Sequence, residues 1–333
     1  MNRAAVIRGI GAWVPPRIVT NDELAEELDT SDEWIRSRTG ISRRHIADPG
    51  MATSDLAVEA GGRALKSASA ASVDCVIVAT TTPDRPCPAT APLVVSRLGL
   101  GTAAAFDVGA VCTGFLYSLA VGAGLITAGT AESVLVLGAD TFSSILDPQD
   151  RSTRAVFGDG AGGVVLAAGT PDEPGALGHF DLASDGTGSN LITVPSGGSR
   201  DPIRADSAVG ADPYFRMQGK AVFRNAVERM AASALRVAEA RGWSVRTVDL
   251  LVAHQANLRI MHAVADRMRL PRDRCAVNVD HVGNTAAASI PLALVDAMDD
   301  GTLHPDHRVV LTAFGGGLTW GSCALRWPDL VPG

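Results

Sequence analysis

The sequence lacks features that several classes of protein require. Its formal net charge is −7, which argues against broad nucleic-acid binding because that function needs a basic footprint, and leaves open only a local basic patch for an acidic partner. Its five cysteines are odd in number, widely spread and without a CxxC pair, which argues against a disulfide framework and a structural zinc site. The first residues show no apolar core followed by a small-residue cleavage site. We therefore expect no signal peptide, a reducing cytoplasmic location and no bound metal.

Charge is also absent from one long stretch, residues 108–131. Its length is sufficient to cross a bilayer. Five glycines interrupt it, however, and it has no basic flank of the kind that orients membrane helices. A helix that is apolar all round can equally form the centre of a large core. The stretch is therefore predicted to contain a buried helix and not a membrane span.

The rest of the composition is that of a compact globular protein, with 46% hydrophobic residues, 20% charged residues and 35 glycines. Short β-branched runs alternate with alanine-rich helical stretches, a pattern typical of α/β proteins with buried parallel strands. The predicted strands are 73–80, 103–109, 133–139, 162–168, 248–254 and 307–314. The predicted helices are 21–28, 53–69, 89–98, 113–128, 219–241, 258–268 and 286–299.

The strands also repeat. VDCVIVAT at residue 73 resembles VDLLVAHQ at 248, and SVLVLGAD at 133 resembles RVVLTAFG at 308, both 175 residues later. FDVGAVCTG and VDHVGNTAA align with Cys112 opposite Asn284, an offset of 172. Three pairs in one order indicate two fused copies of one α/β unit, predicted as residues 1–172 and 173–333. Residues 171–218, rich in turn formers, are expected to hold the junction and a surface excursion.

Cys112 follows a predicted strand and opens a predicted helix. The free N–H groups and the dipole of a helix N-terminus favour the nucleophilic thiolate. We also expect no carboxylate near the thiol, because a neighbouring negative charge would raise its pKa. The alternative is a buried structural cysteine, which is the commoner role of a free cysteine.

Three further features also lie at the ends of predicted strands, where ligands gather in α/β sheets. His254 ends a strand, Asn284 lies at a strand-to-helix turn, and three glycines follow a strand at 315–317. Their structural alternatives are a buried histidine, a helix N-cap and a tight turn. Together with Cys112, they point to one site.

Six segments of the chain carry a family resemblance. They are TSDEWIRSRTGI (30–41), FDVGAVCTGF (106–115), FGDGAGGVVL (157–166), HQANLRI (254–260), GNTAAASIP (283–291) and AFGGGLTWG (313–321). Over its whole length the chain resembles the type III β-ketoacyl-acyl carrier protein synthases, the initiating condensing enzymes of the thiolase superfamily. The resemblance implies a duplicated thiolase-like α/β fold, with two five-stranded mixed sheets in αβαβα layers. It also implies a homodimer and no cofactor, with acyl-CoA and malonyl-acyl carrier protein as substrates.

The resemblance assigns a role to each residue of the site. Cys112 would take an acyl group from acyl-CoA, while the backbone N–H groups of Cys112 and Gly316 hold the thioester oxyanion. His254 and Asn284 would donate hydrogen bonds to the enolate left when malonyl loses carbon dioxide. That carbanion would attack acyl-Cys112, as in other covalent catalysis.

The resemblance also implies binding residues for the anionic substrates. The adenine nucleotide end of CoA would meet Trp34, Arg38 and Arg151, and the pantetheine arm would bond to Asn257. Carrier protein would meet a basic patch of Arg224, Arg259 and Arg267. Solvated helix faces are the alternative for those arginines.

Phe314 and Cys87 are the residues assigned to the acyl pocket. In many relatives a bulky aromatic near residues 81–92 reaches across the dimer and limits that pocket, and here the aligned position is Cys87. We therefore expect tolerance of propionyl-sized, branched or longer primers. Two other functions remain open: acyl transfer from Cys112 to a hydroxyl, an amine or a carrier protein, and a non-catalytic synthase subunit. An intact Cys112 disfavours the latter.

Overall fold

The first half of the chain forms a mixed five-stranded sheet in the computed structural model, which describes residues 3–204 and 210–333. Residues 205–209 of the expected surface excursion lie outside that description. The strands of the chain are β1 (Ala4–Trp13), β2 (Ile18–Thr20), β3 (Arg43–His45), β4 (Cys75–Ala79), β5 (Ala104–Val108), β6 (Ser133–Asp140), β7 (Gly160–Gly169), β8 (Phe180–Ser184), β9 (Ile192–Thr193), β10 (Arg216–Met217), β11 (Leu250–Ala253), β12 (Arg308–Gly315) and β13 (Thr319–Arg326). The first sheet has the order β1-β7-β6-β4-β5, with β4, β5 and β6 parallel and β1 and β7 antiparallel.

The second sheet repeats this order as β8-β13-β12-β11. Within residues 173–204 and 210–333 it has four strands, so the expected five is wrong for the described part of this half. The place that β5 takes in the first sheet is held by a single parallel bridge between Leu251 and Cys275. The chain then turns into a short helix instead of continuing as a strand. The mixed α/β fold is confirmed, and the corresponding strand order agrees with two copies of one unit. The boundary at residues 172 and 173 stays a prediction.

Helices separate and cover the two sheets. The helices are α1 (Asn21–Glu27), α2 (Asp32–Thr39), α3 (Thr53–Ser67), α4 (Ala91–Arg97), α5 (Gly114–Thr127), α6 (Arg151–Arg154), α7 (Gly219–Ala240), α8 (Leu258–Met268), α9 (Val279–Val282) and α10 (Ser289–Asp299). α5 and α10 lie in the central layer, where they share a core with strands of both sheets. α3 and α4 pack on the first sheet, and α7 packs on the second with α8 beside it.

The uncharged stretch at 108–131 begins at the last residue of β5 and contains a one-turn 3₁₀ helix and α5. Within the described residues, none of the helices combines the length and the apolar character needed to span a bilayer. α5 instead packs closely against the first sheet, and a Cβ added at Gly114 would lie 2.9 Å from the Cβ of Ala79. The small side chains of this stretch therefore serve close packing between layers.

The alignment of Cys112 with Asn284 is wrong. Val111 and Ala286 both have φ of 47°, and each begins a one-turn 3₁₀ helix that leads directly into the central helix of its half. The structural counterpart of Cys112 is therefore Ala287, 175 residues later, the same offset as the strands. The sequence comparison of the two halves paired the wrong residues because the second half has α9 where the first half has the end of a strand.

His281 provides a pH-dependent link between α9 and α10. Its Nδ1 lies 3.0 Å from Oδ1 of Asp280 and its Nε2 lies 3.3 Å from Oδ2 of Asp296. The Asp280 hydrogen bond and then that of Asp296 raise the pKa of His281 to about 9. A raised pKa stabilises the fold fully below about pH 6.5, the reference value of histidine, and this contribution is lost as the pH rises through about 9.

We therefore expect the melting temperature to fall between pH 7 and pH 10, and His281→Asn to remove part of that fall. Thermal unfolding of both proteins across this range measures the difference. His304→Asn, at an exposed position, is the matched control. Parallel pH profiles for wild type and His281→Asn would contradict the prediction.

Candidate active site

A cavity of about 120 Å³ lies between the two halves of the chain. Cys112 lines it from the first half, and His254, Asn284 and Phe314 line it from the second. The strand ends of both sheets meet here, as the carboxyl ends of α/β strands commonly do. The structure thus brings these side chains together at one cavity, as the sequence predicted.

Cys112 lies in the 3₁₀ turn between β5 and α5 and is 9% exposed. The glycine run after β12 passes close to it, since a Cβ at Gly315 would lie 2.9 Å from the Cys112 nitrogen. Hydroxyls join the two segments: the Oγ1 atoms of Thr113 and Thr319 are 2.5 Å apart, and Thr319 also donates to the carbonyl of Gly316 at 3.1 Å. The turn that carries Cys112 and the glycine loop are therefore held together across the halves.

The electrostatic surroundings of Cys112 differ from the expectation. Burial, followed by the charge of Asp140, raises the pKa of the thiol, whereas a hydrogen bond from the backbone N–H of Cys112 acts in the opposite direction. The expected absence of a carboxylate near the thiol is wrong. Asp140, at the end of β6, is fully buried and lies close enough for its charge to raise the pKa of Cys112. Burial also raises the pKa of Asp140 to about 6. Because burial raises its pKa, the side chain of Cys112 is a protonated thiol in the resting protein.

Asp140 is held by backbone groups from both halves. One of its carboxylate oxygens accepts from the N–H of Thr81 at 2.7 Å and the other accepts from the N–H of Ala287 at 3.0 Å. Asp140 thus links the first sheet to the 3₁₀ turn at Ala286–Ala288. This turn is the counterpart, in the second half, of the turn that carries Cys112.

His254 follows β11 and is only 3% exposed. Its Nδ1 lies 2.7 Å from the hydroxyl oxygen of Ser289, the first residue of α10. Burial lowers the pKa of His254 to about 3. The imidazole is therefore neutral at physiological pH and carries a single ring proton.

Asn284 is 5% exposed, and its side-chain Oδ1 accepts from the N–H of Ala286 at 3.0 Å. The carbonyl end of the amide is thereby occupied, which leaves the NH₂ end as the donor for the cavity. Its backbone bonds to Val156 and Gly158. Asn284 does not cap α10, which begins five residues later.

Three phenylalanines close the cavity beyond Cys112. Phe157 stacks on Phe142 with ring centroids 4.3 Å apart, and Phe215 meets each of them edge-on at 5.1 Å. Phe157 and Phe215 line the cavity directly, and Phe157 also lines a second, polar cavity of about 410 Å³. Phe157 lies within the motif at 157–166, but no role was predicted for it from the sequence.

Cys87 is not at this site in its own chain. It lies on an exposed loop and does not line the cavity that holds Cys112. Its expected position across a dimer involves a second copy of the chain and stays a prediction.

Of the residues predicted for CoA, three cluster around the Trp34 ring and the fourth, Asn257, lines the cavity. The guanidinium carbons of Arg38 and Arg151 lie 4.5 and 5.0 Å from the ring centroid of Trp34. Asn257 lines the cavity and also accepts from the N–H of Ile260 as the N-cap of α8. Arg151 forms an ion pair with Asp29 at 3.1 Å.

A basic depression lies beside the cavity. Arg38, Lys220, Asn257 and Arg259 line it, and Lys220 was not predicted. Arg224 and Arg267, the other two predicted patch residues, are exposed on α7 and α8. Positive charge from Arg38, Lys220 and Arg259 therefore lies beside the cavity, which suits an anionic ligand.

The described residues contain no cluster of three or more His, Cys, Asp or Glu side chains placed to bind a metal ion. The chemistry of the cavity rests on a thiol, a neutral imidazole, an amide and backbone N–H groups. Such a set can form a covalent thioester and stabilise an oxyanion.

Comparison with known proteins identifies relatives over the whole chain. Two family models match, 3-oxoacyl-[acyl-carrier-protein] synthase III over residues 106–186 and the C-terminal model of the same enzyme over 238–327. A curated protein of Streptomyces coelicolor, β-ketoacyl-[acyl-carrier-protein] synthase III 3, is 60% identical over 334 residues, covering 100% of both chains.

Two solved structures show the same architecture. The 3-oxoacyl-(acyl carrier protein) synthase III of Pseudomonas aeruginosa PAO1 is 52% identical, with a TM-score of 0.93 over 99% of this chain and 100% of that one. The priming β-ketosynthase of the R1128 polyketide biosynthetic pathway is 32% identical, with a TM-score of 0.90 over 98% of this chain and 97% of that one.

Proposed function

The chain belongs to the β-ketoacyl-[acyl-carrier-protein] synthase III family, and on that premise we propose how its residues carry out the family's reaction. The enzyme initiates chain synthesis by condensing an acyl-CoA primer with malonyl-acyl carrier protein. The observation that carries the residue assignment is the shared cavity, where one thiol faces two neutral hydrogen-bond donors. This set provides a nucleophile and an oxyanion site without a paired carboxylate base.

In the first half-reaction, Sγ of Cys112 attacks the thioester carbonyl of acyl-CoA. The proton of the thiol leaves with the displaced CoA sulfur, and the acyl group stays on Cys112. The backbone N–H groups of Cys112 and Gly316 hold the oxyanion of the tetrahedral intermediate. The close passage of the glycine run beside Cys112 supports this role, because a side chain at Gly315 would crowd the nitrogen.

In the second half-reaction, the malonyl thioester loses carbon dioxide. The electron pair of the broken C–C bond moves into an enolate, and His254 and Asn284 donate hydrogen bonds to its oxygen. No base is needed, because decarboxylation creates the carbanion. The enolate carbon then attacks acyl-Cys112 and expels the Cys112 thiolate, giving a ketoacyl thioester two carbons longer, and the thiolate takes a proton from solvent to restore the resting thiol.

Substrate binding beside the cavity belongs to the same proposal. Trp34 with Arg38 and Arg151 binds the adenine nucleotide end of CoA by stacking and phosphate pairing, and Asn257 bonds the pantetheine arm. Arg259, with Arg224 and Arg267, meets the acidic carrier protein. The basic depression at Arg38, Lys220 and Arg259 supports both assignments, because each ligand is anionic.

The assembly is proposed to be a cytoplasmic homodimer. β5 lies at the edge of the first sheet, and a second copy pairing along it would cover that edge. Such a dimer would also bring the exposed loop around Cys87 toward the partner's site. No resident cofactor is required, because both half-reactions use only the thioester substrates and protein groups.

Incubating the protein with acyl-CoA and malonyl-acyl carrier protein tests this function. We expect stoichiometric release of carbon dioxide, free CoA and a ketoacyl-acyl carrier protein. Acyl transfer to an acceptor without carbon dioxide release would instead favour an acyltransferase.

The three phenylalanines narrow the expected primers to short and branched chains. A cavity of about 150 Å³ is enough for benzene, so one of about 120 Å³ holds only a few carbons. We expect acetyl- and isobutyryl-CoA to acylate Cys112 much faster than octanoyl-CoA does. Stopped mass-spectrometric assays of the acyl-enzyme measure these rates.

Phe157→Ala is the variant matched to this prediction. It removes the ring that separates the acyl cavity from the polar cavity behind it, so octanoyl acylation should rise relative to acetyl by roughly tenfold or more. An unchanged ratio in a folded variant would contradict the assigned direction of the acyl chain.

A further inference from the structure

His254 and Asn284 can each present either a hydrogen-bond donor or an acceptor to the enolate oxygen, depending on how the side chain is oriented or protonated. A neutral imidazole has one proton and two nitrogens to carry it, and only Nε2–H would make His254 a donor toward the cavity while Nδ1 faces Ser289. If Nδ1 held the proton, Nε2 would present a lone pair to a negatively charged oxygen. What sets the position of the proton therefore decides what His254 does.

Ser289 is the group in contact with the other ring nitrogen. Its Oγ lies 2.7 Å from Nδ1, and Ser289 and His254 are 1% and 3% exposed. Within the described part of the chain, this Oγ has no second hydrogen-bond partner. If Nδ1–H donated to Oγ, the hydroxyl proton would be buried without an acceptor, which is unfavourable. If the hydroxyl donates to Nδ1, both groups are satisfied.

We propose that Ser289 is a positioning residue that donates to Nδ1 of His254, and so fixes the ring proton on Nε2, where it faces the cavity. The inference rests on the proposed function for its effect on the reaction. A histidine whose second nitrogen is held by a fixed partner has a defined tautomer and ring orientation.

The same segment orients the second donor. The N–H of Ala286 occupies Oδ1 of Asn284 and turns its NH₂ group to the cavity. Ala286 and Ser289 are the first and last residues of one continuous turn, the 3₁₀ helix and the start of α10. Between them, the N–H of Ala287 donates to the buried carboxylate of Asp140. One anchored turn therefore sets the direction of both donors.

The proposal predicts a split between the two half-reactions. Acylation of Cys112 uses backbone donors, so Ser289→Ala should leave it within about twofold of wild type. Decarboxylation uses His254, so it should fall by about 10-fold to 100-fold, by analogy with the loss of the partner that orients a metal-bound histidine. Ser289→Thr keeps the hydroxyl and should restore decarboxylation.

The experiment uses the full chain with three readouts. They are acylation of Cys112 by acetyl-CoA, carbon dioxide release from malonyl-acyl carrier protein, and the ¹⁵N shifts of His254, assigned by their loss in His254→Asn. Wild type should show Nδ1 without a proton and Nε2 with one, and Ser289→Ala should shift this balance. Ser118→Ala is the matched control, because it removes a fully buried hydroxyl of α5 that has no partner in the described chain.

A protonated Nδ1 in wild type would overturn the proposal, and so would a folded Ser289→Ala variant with wild-type carbon dioxide release. The ¹⁵N measurement on wild type decides the tautomer even if Ser289→Ala fails to fold. If wild type releases no carbon dioxide, the proposed function fails, whereas the ¹⁵N result still tests the contact between Ser289 and His254.

Discussion

Cys112→Ala should abolish the acyl-enzyme and lower condensation by roughly 10⁵-fold, while malonyl decarboxylation persists. Loss of a catalytic nucleophile has effects of about this size in other covalent enzymes. Decarboxylation should survive because its donors, His254 and Asn284, are held by Ser289 and Ala286 and not by the cysteine. Mass spectrometry of the protein after exposure to acetyl-CoA measures the first effect, and carbon dioxide release measures the second.

The matched control is Cys323→Ala, which removes a fully buried thiol in the second sheet. It should keep both half-reactions. An acyl adduct on the Cys112→Ala protein, for instance at the exposed Cys87, would show that the nucleophile has been assigned wrongly.

Asn284→Asp should reduce decarboxylation by more than about 10³-fold, and Asn284→Ala by about 10²-fold to 10³-fold. The smaller loss is expected for Asn284→Ala because that variant only removes one hydrogen-bond donor to the oxyanion. An aspartate is the same size and can keep the bond from Ala286 through one oxygen, but its other oxygen would place negative charge against the enolate. Carbon dioxide release from malonyl-acyl carrier protein, measured at saturating substrate, compares the three proteins.

Acylation by acetyl-CoA should change far less in both variants, because Asn284 takes no part in that step. Asn190→Asp adds the same charge at an exposed position and should leave both steps unchanged. Equal losses of acylation and decarboxylation would argue for a structural role of Asn284 in place of a donor role.

Elements with a strong local pattern could be predicted from the sequence. α8 was predicted at 258–268 and runs from Leu258 to Met268, because its apolar residues recur on one face. β1 was missed, since glycines and Arg8 interrupt its apolar run and its place is set by pairing with β7, over 150 residues away. α2 was also missed, although Ser31 as N-cap and Gly40 with φ of 81° mark its ends.

The residues of the site also divide into those that could be predicted from the sequence and those that could not. Strand ends and family motifs were enough to bring Cys112, His254 and Asn284 together. Asp140 and Ser289 were not predicted because their contacts join segments that are distant in sequence, and no local pattern indicates them. Burial, which decides that His254 is neutral and Cys112 is a thiol, becomes visible only when both halves are folded.

The correspondence of Val111 with Ala286 has a consequence for how the two halves can vary. Both turns have the same backbone geometry, yet one carries a thiol where the other carries the methyl group of Ala287. The two turns are thus alike in backbone shape and unlike in side-chain chemistry. Because the two turns contribute to one cavity, a substitution at either turn is expected to affect a site that both halves form.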